Sequence, residues 1–344
     1  MVRIIILAIC CCMSAYSFGQ TNVDALIQEG IELHDKQDYE GALKKYDEAL
    51  AADSKNLKAG VEKSLTLLYM KKYDDCIALC KSLVKLAPSD PMMKSVYLTY
   101  GSAVDDNGDA KEAIRIFDKG IRLFPDSYLL YYNKGLTLNR QGREEEALDA
   151  IEKGLSQNPL HASAHNAFAT ILVKNNKIKA LLPTLVFLAI EPQGQRAVQN
   201  VQRMKGILNS NVQKKDDKNI VINLSPDIID KKNKDDKYRS VELILSLTSA
   251  MDYSETNKNE TESGKLMRKL ETVISGLSEK SKNMDRFDAF YIHFLSDMKS
   301  KLLLETYCHI ALLSSEDKEN AKWVENHKDK IELFYQWLKA YSWS

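Results

Sequence analysis

Apolar residues recur at steps of three and four along most of the chain, a pattern that predicts amphipathic helices. Between residues 23 and 193 the pattern itself repeats. Gly101 and Gly135 are 34 residues apart, and Pro125 and Pro159 keep the same interval. A fixed period of this length predicts a supersecondary unit that stacks on copies of itself and buries a continuous core. We therefore expect the first half of the chain to form a helical repeat.

Five copies of the unit align on one position, occupied by Gly30, Ser64, Gly101, Gly135 and Phe168. Twelve residues later each copy has a small or medium residue, namely Ala42, Cys76, Ala113, Ala147 and Ala180. Four residues further on stand Tyr46, Cys80, Phe117, Ile151 and Thr184. Small residues let the two helices of a unit approach closely, and we expect the larger residue to fill the space against the next unit. Four copies close with a proline, which ends the second helix.

This arrangement resembles the tetratricopeptide repeat, whose signature places small residues, an aromatic residue and a proline at these offsets. The resemblance implies an all-α fold, with a superhelix of about five helix–turn–helix units over residues 20–193. The third and fourth copies match best. The fifth has Phe168 at the glycine position and Pro183 inside its second helix, so we expect the regular stack to end near Gln193.

The resemblance also implies that the first helices form a concave binding face. Contact positions lie three before, one after and four after the glycine position. The predicted partner-binding residues are Val61, Leu65, Leu68, Leu98, Ser102, Tyr132, Leu136, Asn139 and His165. The carboxylate clamp of the family needs Lys, Asn and Arg at such positions, and Val61, Leu65, Leu98 and Tyr132 occupy those places here. An apolar groove favours an amphipathic helix or an extended hydrophobic peptide. The alternative is that this face packs on the C-terminal half of the chain itself.

Beyond residue 193 the period is lost. Residues 194–237 carry mixed-charge runs and predict a linker that contains one short strand at 220–224. Residues 238–344 predict a C-terminal helical domain. Its strongest feature is an apolar stripe that begins at Phe287, Phe290, Tyr291 and Phe294. We expect this domain to cover the open end of the repeat stack, because terminal repeats need a cap.

The N-terminus predicts a secretory signal peptide over residues 1–19. Arg3 precedes the apolar run 4–13, and the small residues Ser17 and Gly19 stand before a cleavage site at Gln20. An uncleaved short anchor and a lipid-modified cysteine at Cys10 are the alternatives. The mature chain has no apolar stretch near the ~20 residues that span a bilayer. We expect an exported protein of the periplasm or cell envelope, or a secreted one.

Charge and motifs narrow the function further. The chain has 48 basic and 48 acidic residues, which argues against a nucleic-acid binder. It has no phosphate-binding loop, dinucleotide fingerprint or hydrolase motif, so we predict no catalytic residues, no cofactor and no metal site. Cys76 with Cys80, and His161 with His165, have metal-compatible spacing, but core packing and surface positions explain them better.

The sequence thus predicts an exported, non-enzymatic module that binds a protein or peptide on its concave groove. The alternative is a structural subunit of a cell-envelope or secretion assembly that uses its convex face or its C-terminal domain.

Overall fold

The computed structural model describes residues 22–216, 219–224, 237–278 and 284–343. The predicted signal peptide and Cys10 lie outside these residues. Across the described ranges, no helix combines the length and the apolar character needed to cross a membrane. The chain divides into two compact units between Gln157 and Asn158.

The first unit consists of four consecutive helix pairs, as the repeat predicts. Its helices are α1 (22–35), α2 (Tyr39–Ala52), α3 (Leu57–Tyr69), α4 (Tyr73–Leu86), α5 (Met93–Asp106), α6 (Ala110–Leu123), α7 (Tyr128–Arg140) and α8 (Glu144–Gln157). Odd-numbered helices are the first helices of the repeat, and even-numbered helices are the second.

The turn inside each pair has one recurring backbone feature. Seven residues after the glycine position, Gln37, Lys71, Gly108 and Gly142 all have a positive φ, between 59° and 96°. Only two of the four are glycine, the residue that adopts this conformation without a steric cost. Aspartate side chains then cap two of the second helices, with Asp38 on α2 and Asp109 on α6. Asp109, for example, accepts a hydrogen bond of 2.9 Å from the backbone N–H of Glu112.

The glycine position allows a close approach between the two helices of one unit. A Cβ built at Gly101 would lie 2.4 Å from the Phe117 ring, and one built at Gly30 would lie 2.4 Å from the Tyr46 ring. These contacts lie within one unit, and they do not test the expectation that the larger residue fills space against the next unit. Each ring packs directly over the glycine of its own unit, because only glycine leaves room for it.

The second unit has the helices α9 (Ala162–Leu172), α10 (Lys177–Ile190), α11 (Gln195–Leu208), α12 (Lys237–Ala250), α13 (Glu262–Ser278), α14 (Arg286–Ser300), α15 (Leu304–Ala311), α16 (Lys318–Asn326) and α17 (Lys328–Ala340). Every residue of α10 from 180 to 189 is buried. Helices α9, α11, α12, α14 and α15 all contact it. Pro183 lies inside this helix. The core of the second unit is thus built around the second helix of repeat copy five.

Two sequence-based boundaries differ from the structure. The linker prediction for residues 194–237 is wrong over Gln195–Leu208, which forms α11. This helix packs like a further first helix, since Asn200 and Arg203 donate hydrogen bonds of 2.9 and 3.2 Å to the Asn166 side chain of α9. The stack therefore continues past Gln193. In addition, copy five belongs to the second unit.

A short hairpin follows α11. Strand β1 (Val212–Lys214) pairs antiparallel with β2 (Ile220–Ile222), with Val212 opposite Ile222. Of the stretch 220–224 predicted as a short strand, Ile220–Ile222 forms β2, and the fold is otherwise all-α over the described residues, as predicted.

Candidate partner-binding face

The first helices of unit one lie side by side and form one face. Helix α3 contacts α5, and α5 contacts α7. A hydrogen bond of 2.8 Å between His34 Nδ1 and Thr66 Oγ1 joins α1 to α3. The four odd-numbered helices therefore present a continuous surface, which we call the concave face. Its predicted partner-binding residues in unit one are Val61, Leu65, Leu68, Leu98, Ser102, Tyr132, Leu136 and Asn139.

Polar contacts at equivalent repeat positions hold this face together. The Thr137 hydroxyl donates to Asp105 Oδ2 at 2.7 Å, and Arg140 forms an ion pair with the same carboxylate. His34 and Thr66 occupy the same two repeat positions as Asp105 and Thr137, since 32 residues separate each pair. The side chain of Asp105 is only 6% exposed. This link fixes the spacing between neighbouring first helices.

The predicted groove residues of unit one differ in their exposure. Val61 is buried, at 8%, within the core of the stack. Seven others are half-buried, and these are Leu65, Leu68, Leu98, Ser102, Tyr132, Leu136 and Asn139. An amphipathic ligand could reach the half-buried side chains but not Val61. No contact in the structure tests whether a partner uses them, so their role stays a prediction.

His165 is not a groove residue, and that part of the prediction is wrong. Its side chain is fully buried in unit two. The Tyr291 hydroxyl lies 2.9 Å from Nδ1, and the Pro159 carbonyl oxygen lies 2.8 Å from Nε2. Both ring nitrogens are therefore occupied by partners within the fold.

The physical reason is that α14 covers the corresponding face of copy five. Phe287 and Tyr291 of α14 contact Phe168, with ring centroids 5.3 and 6.3 Å apart. Phe290 lies 6.1 Å from the ring of His165. In copy five, therefore, the alternative reading holds: the face packs on the C-terminal part of the chain itself. The predicted aromatic stripe supplies that cover.

Charged pairs join two second helices of unit one to the first helices that follow them, α2 to α3 and α6 to α7. Lys63 Nζ lies 2.5 Å from Asp47, and Lys134 Nζ lies 2.6 Å from Asp118, at equivalent repeat positions. Because these pairs are partly exposed, each contributes little to stability.

On α3, burial raises the pKa of the Glu62 carboxyl group. The concave face thus combines apolar side chains with few charges.

Sequence reasoning missed the threonine contacts. Thr66 and Thr137 both stand two residues after the glycine position, and both are fully buried. Their shared repeat position is the sequence signal that could have predicted these contacts.

In the part of the chain that the structure describes, no group of three or more His, Cys, Asp or Glu side chains is arranged to hold a metal ion. Cys76 and Cys80 form no disulfide bond and are buried in the core of unit one.

Comparison with known families gives one match, to the tetratricopeptide repeat, over residues 101–162. This range contains α6, α7 and α8, together with residues 101–106 at the C-terminal end of α5. It coincides with the third and fourth copies, which carry the repeat pattern most completely.

Among characterised relatives, the photosystem I assembly protein Ycf3 of Prochlorococcus marinus is 29% identical over 105 residues, or 29% of this chain. The match spans 61% of that protein. The STIP1 homolog of Dictyostelium discoideum is 26% identical over 160 residues, which are 38% of this chain and 28% of the relative. The chain thus spans less than two thirds of the length of either relative. PilF of Pseudomonas aeruginosa, a solved structure, has 18% identity and a TM-score of 0.48, and the match covers 54% of this chain and 85% of PilF.

Proposed function

Because the chain is a tetratricopeptide-repeat protein, we propose that it is a non-enzymatic scaffold that binds a protein or peptide partner on its concave face. The observation that carries this proposal is the set of half-buried apolar side chains on neighbouring first helices. Leu65, Leu98 and Leu136 stand one or three residues from the glycine position on α3, α5 and α7. An amphipathic helix or an extended hydrophobic segment fits such a surface.

Export to the cell envelope is the second part of the proposal. It rests on Arg3, the apolar run 4–13 and the small residues before Gln20. Mass spectrometry of the native N-terminus tests it directly. A mature chain that begins at Gln20 would support export, whereas a cytoplasmic chain that retains Met1 would contradict it.

A second candidate function is a structural subunit of an envelope or secretion assembly. Exposed leucines at the ends of two second helices favour it, since Leu86 is 44% and Leu123 is 48% exposed. These side chains lie on the helices that do not form the concave face. One relative is named an assembly protein, which supports the same class of function.

Site-specific photocrosslinking separates the two candidates. A photoreactive amino acid at Leu98 or Leu136 probes the concave face, and the same group at Leu123 probes the second helices. If the concave face binds, a discrete crosslinked species forms from Leu98 and Leu136 but not from Leu123. The reverse pattern would favour the assembly subunit.

A further inference from the structure

A cavity of about 410 Å³ lies in unit two, apart from the concave face. The N-terminal turn of α13, helix α15 and the beginning of α16 supply its walls. Side chains that decide its chemistry are Met267, Glu305, His309, Asp317, Glu319 and Trp323. The cavity belongs to neither of the functions proposed above.

The tautomer of His309 is set by one neighbour. Asn320 Nδ2 donates to the His309 backbone carbonyl oxygen at 3.0 Å, so its amide oxygen is the atom that lies 2.6 Å from His309 Nδ1. An amide oxygen only accepts, and therefore Nδ1 carries the hydrogen and Nε2 has a free lone pair. Within the described part of the chain, no hydrogen bond reaches Nε2, although the side chain is only 8% exposed.

Stacking fixes the orientation of this ring. Trp323 lies parallel to His309, with ring centroids 3.6 Å apart and an angle of 4° between the planes. Burial lowers the pKa of His309, so the imidazole is neutral at neutral pH and accepts rather than donates at Nε2. The cavity is thus lined by an acceptor of fixed orientation that has no donor among the described residues.

The charge around this acceptor has one sign. Three carboxylates line the cavity, on Glu305, Asp317 and Glu319, and no lysine or arginine does so among the described residues. One oxygen of Asp317 caps α16, accepting from the N–H groups of Glu319 and Asn320 at 2.9 and 3.1 Å. A ligand that matches this lining carries positive charge and several N–H donors.

Lys330 shows that a cation is favourable at the edge of this site. Its ammonium group lies 5.5 Å from the centroid of the Trp323 ring and 3.5 Å from Glu305. It neutralises part of the charge of Glu305 but leaves Asp317 and Glu319 without an ion-pair partner among the described residues.

We propose that this cavity binds an organic cation of the guanidinium class, such as the side chain of arginine. Its N–H groups donate to His309 Nε2 and to the carboxylates of Asp317 and Glu319, while Met267 contacts its apolar stem. A planar guanidinium with donors along two edges satisfies several fixed acceptors at once, which an ammonium point charge does less well.

The test is an NMR titration of the full-length chain labelled with ¹⁵N-histidine. Acetyl-arginine-methylamide, free arginine and acetyl-citrulline-methylamide are added in separate experiments. The proposal predicts a saturable shift of the His309 Nε2 resonance with an arginine compound and none with citrulline, its neutral isostere. Tighter binding of the blocked compound would indicate a protein segment as the source, and tighter binding of free arginine would indicate a metabolite. Either result supports the guanidinium site.

Two surface variants keep the test independent of folding. Glu319→Gln removes one acceptor charge and is expected to weaken arginine binding about tenfold. Lys330→Gln removes the competing cation and is expected to strengthen it. His309→Phe preserves an aromatic stack on Trp323 and should abolish binding, with an unchanged near-UV circular dichroism spectrum. Equal shifts with citrulline, no shift with any compound, or full binding by Glu319→Gln would overturn the proposal.

Discussion

His165 and Tyr291 lie 126 residues apart in the chain and are joined by a hydrogen bond of 2.9 Å inside unit two. The carbonyl oxygen of Pro159, which only accepts, lies 2.8 Å from Nε2. Nε2 therefore carries the hydrogen, and Nδ1 accepts from the Tyr291 hydroxyl. This contact joins the first helix of repeat copy five to its aromatic cover, and burial keeps the imidazole neutral.

Acid should weaken this contact. Burial lowers the pKa of His165 from 6.5 to about 4 in the folded chain. As the pH falls from 6.5 toward 4, the unfolded chain binds a proton that the folded chain does not. The contribution of His165 to the free energy of unfolding is therefore fully present above pH 6.5 and is lost progressively as the pH falls to 4. The loss for the single residue approaches about 3 kcal/mol. Urea denaturation of the full chain across this range, with hydrogen exchange to assign the change to unit two, measures it.

The matched control for acid sensitivity is His165→Gln. Its amide can donate to the Pro159 carbonyl oxygen and accept from Tyr291, but it does not titrate. This variant should show a flatter dependence of unfolding free energy on pH than the wild type. An identical pH dependence in both proteins would mean that other groups cause the acid loss.

The turn position with positive φ predicts opposite effects at Lys71 and Gly108. Lys71 has a φ of 59°, a region that costs a non-glycine residue energy, so Lys71→Gly should stabilise unit one by about 1 kcal/mol. Gly108→Ala should destabilise it by about the same amount. No heavy atom lies within 4 Å of a Cβ built at Gly108, so the loss would come from the backbone alone. Thermal unfolding that showed equal stability for all three proteins would contradict this account.

Close packing at the glycine position predicts a loss on adding one methyl group. A Cβ at position 101 would lie 2.4 Å from the Phe117 ring, so Gly101→Ala should cost about 1–3 kcal/mol of unfolding free energy. In the double variant Gly101→Ala with Phe117→Leu, the leucine side chain is smaller than the phenylalanine ring and relieves the overlap. The double variant should therefore be more stable than the sum of the two single effects, as measured in a double-mutant cycle. Simple additivity would show that the ring does not meet the methyl group.

The Asp105–Thr137 link predicts a measurable coupling between α5 and α7. Removing both partners, by Asp105→Ala and Thr137→Val, should reveal a coupling energy of about 1 kcal/mol in denaturant titrations. Asp126→Ala is the control, because Asp126 pairs with Lys94 at 2.8 Å on an exposed surface and should have little effect. Absence of coupling between Asp105 and Thr137 would remove the proposed role of this link.

Much of the repeat could be predicted from sequence because its evidence is local and periodic. Gly108 and Gly142 are the residue type that favours turns between helices, and both have a positive φ. Helix α11 was missed because Gln202 stands where the glycine would be, and Lys214 rather than a small residue stands twelve positions later. Amide and guanidinium contacts join α11 to α9, but its buried residues Ala197, Val201, Met204 and Leu208 also recur at steps of three and four, a helical signal that was present in the sequence.

The site was predicted less completely than the fold. The offsets placed His165 on a first helix, as the structure does. They contain no information about which distant segment covers that helix. Whether a face is open or covered depends on contacts such as that of Tyr291, whose position in the fold the repeat pattern does not specify.

The most direct test of the concave-face proposal is the affinity of the partner identified by crosslinking for a double variant. Leu98→Asp with Tyr132→Asp places two charges on α5 and α7, and Leu123→Asp, on an exposed position of α6, is the matched control. Isothermal titration, with circular dichroism to establish that all three proteins are folded, gives the comparison. The account predicts that the double variant loses at least about a hundredfold in affinity, while Leu123→Asp binds like the wild type. Undiminished binding by a folded double variant would contradict it.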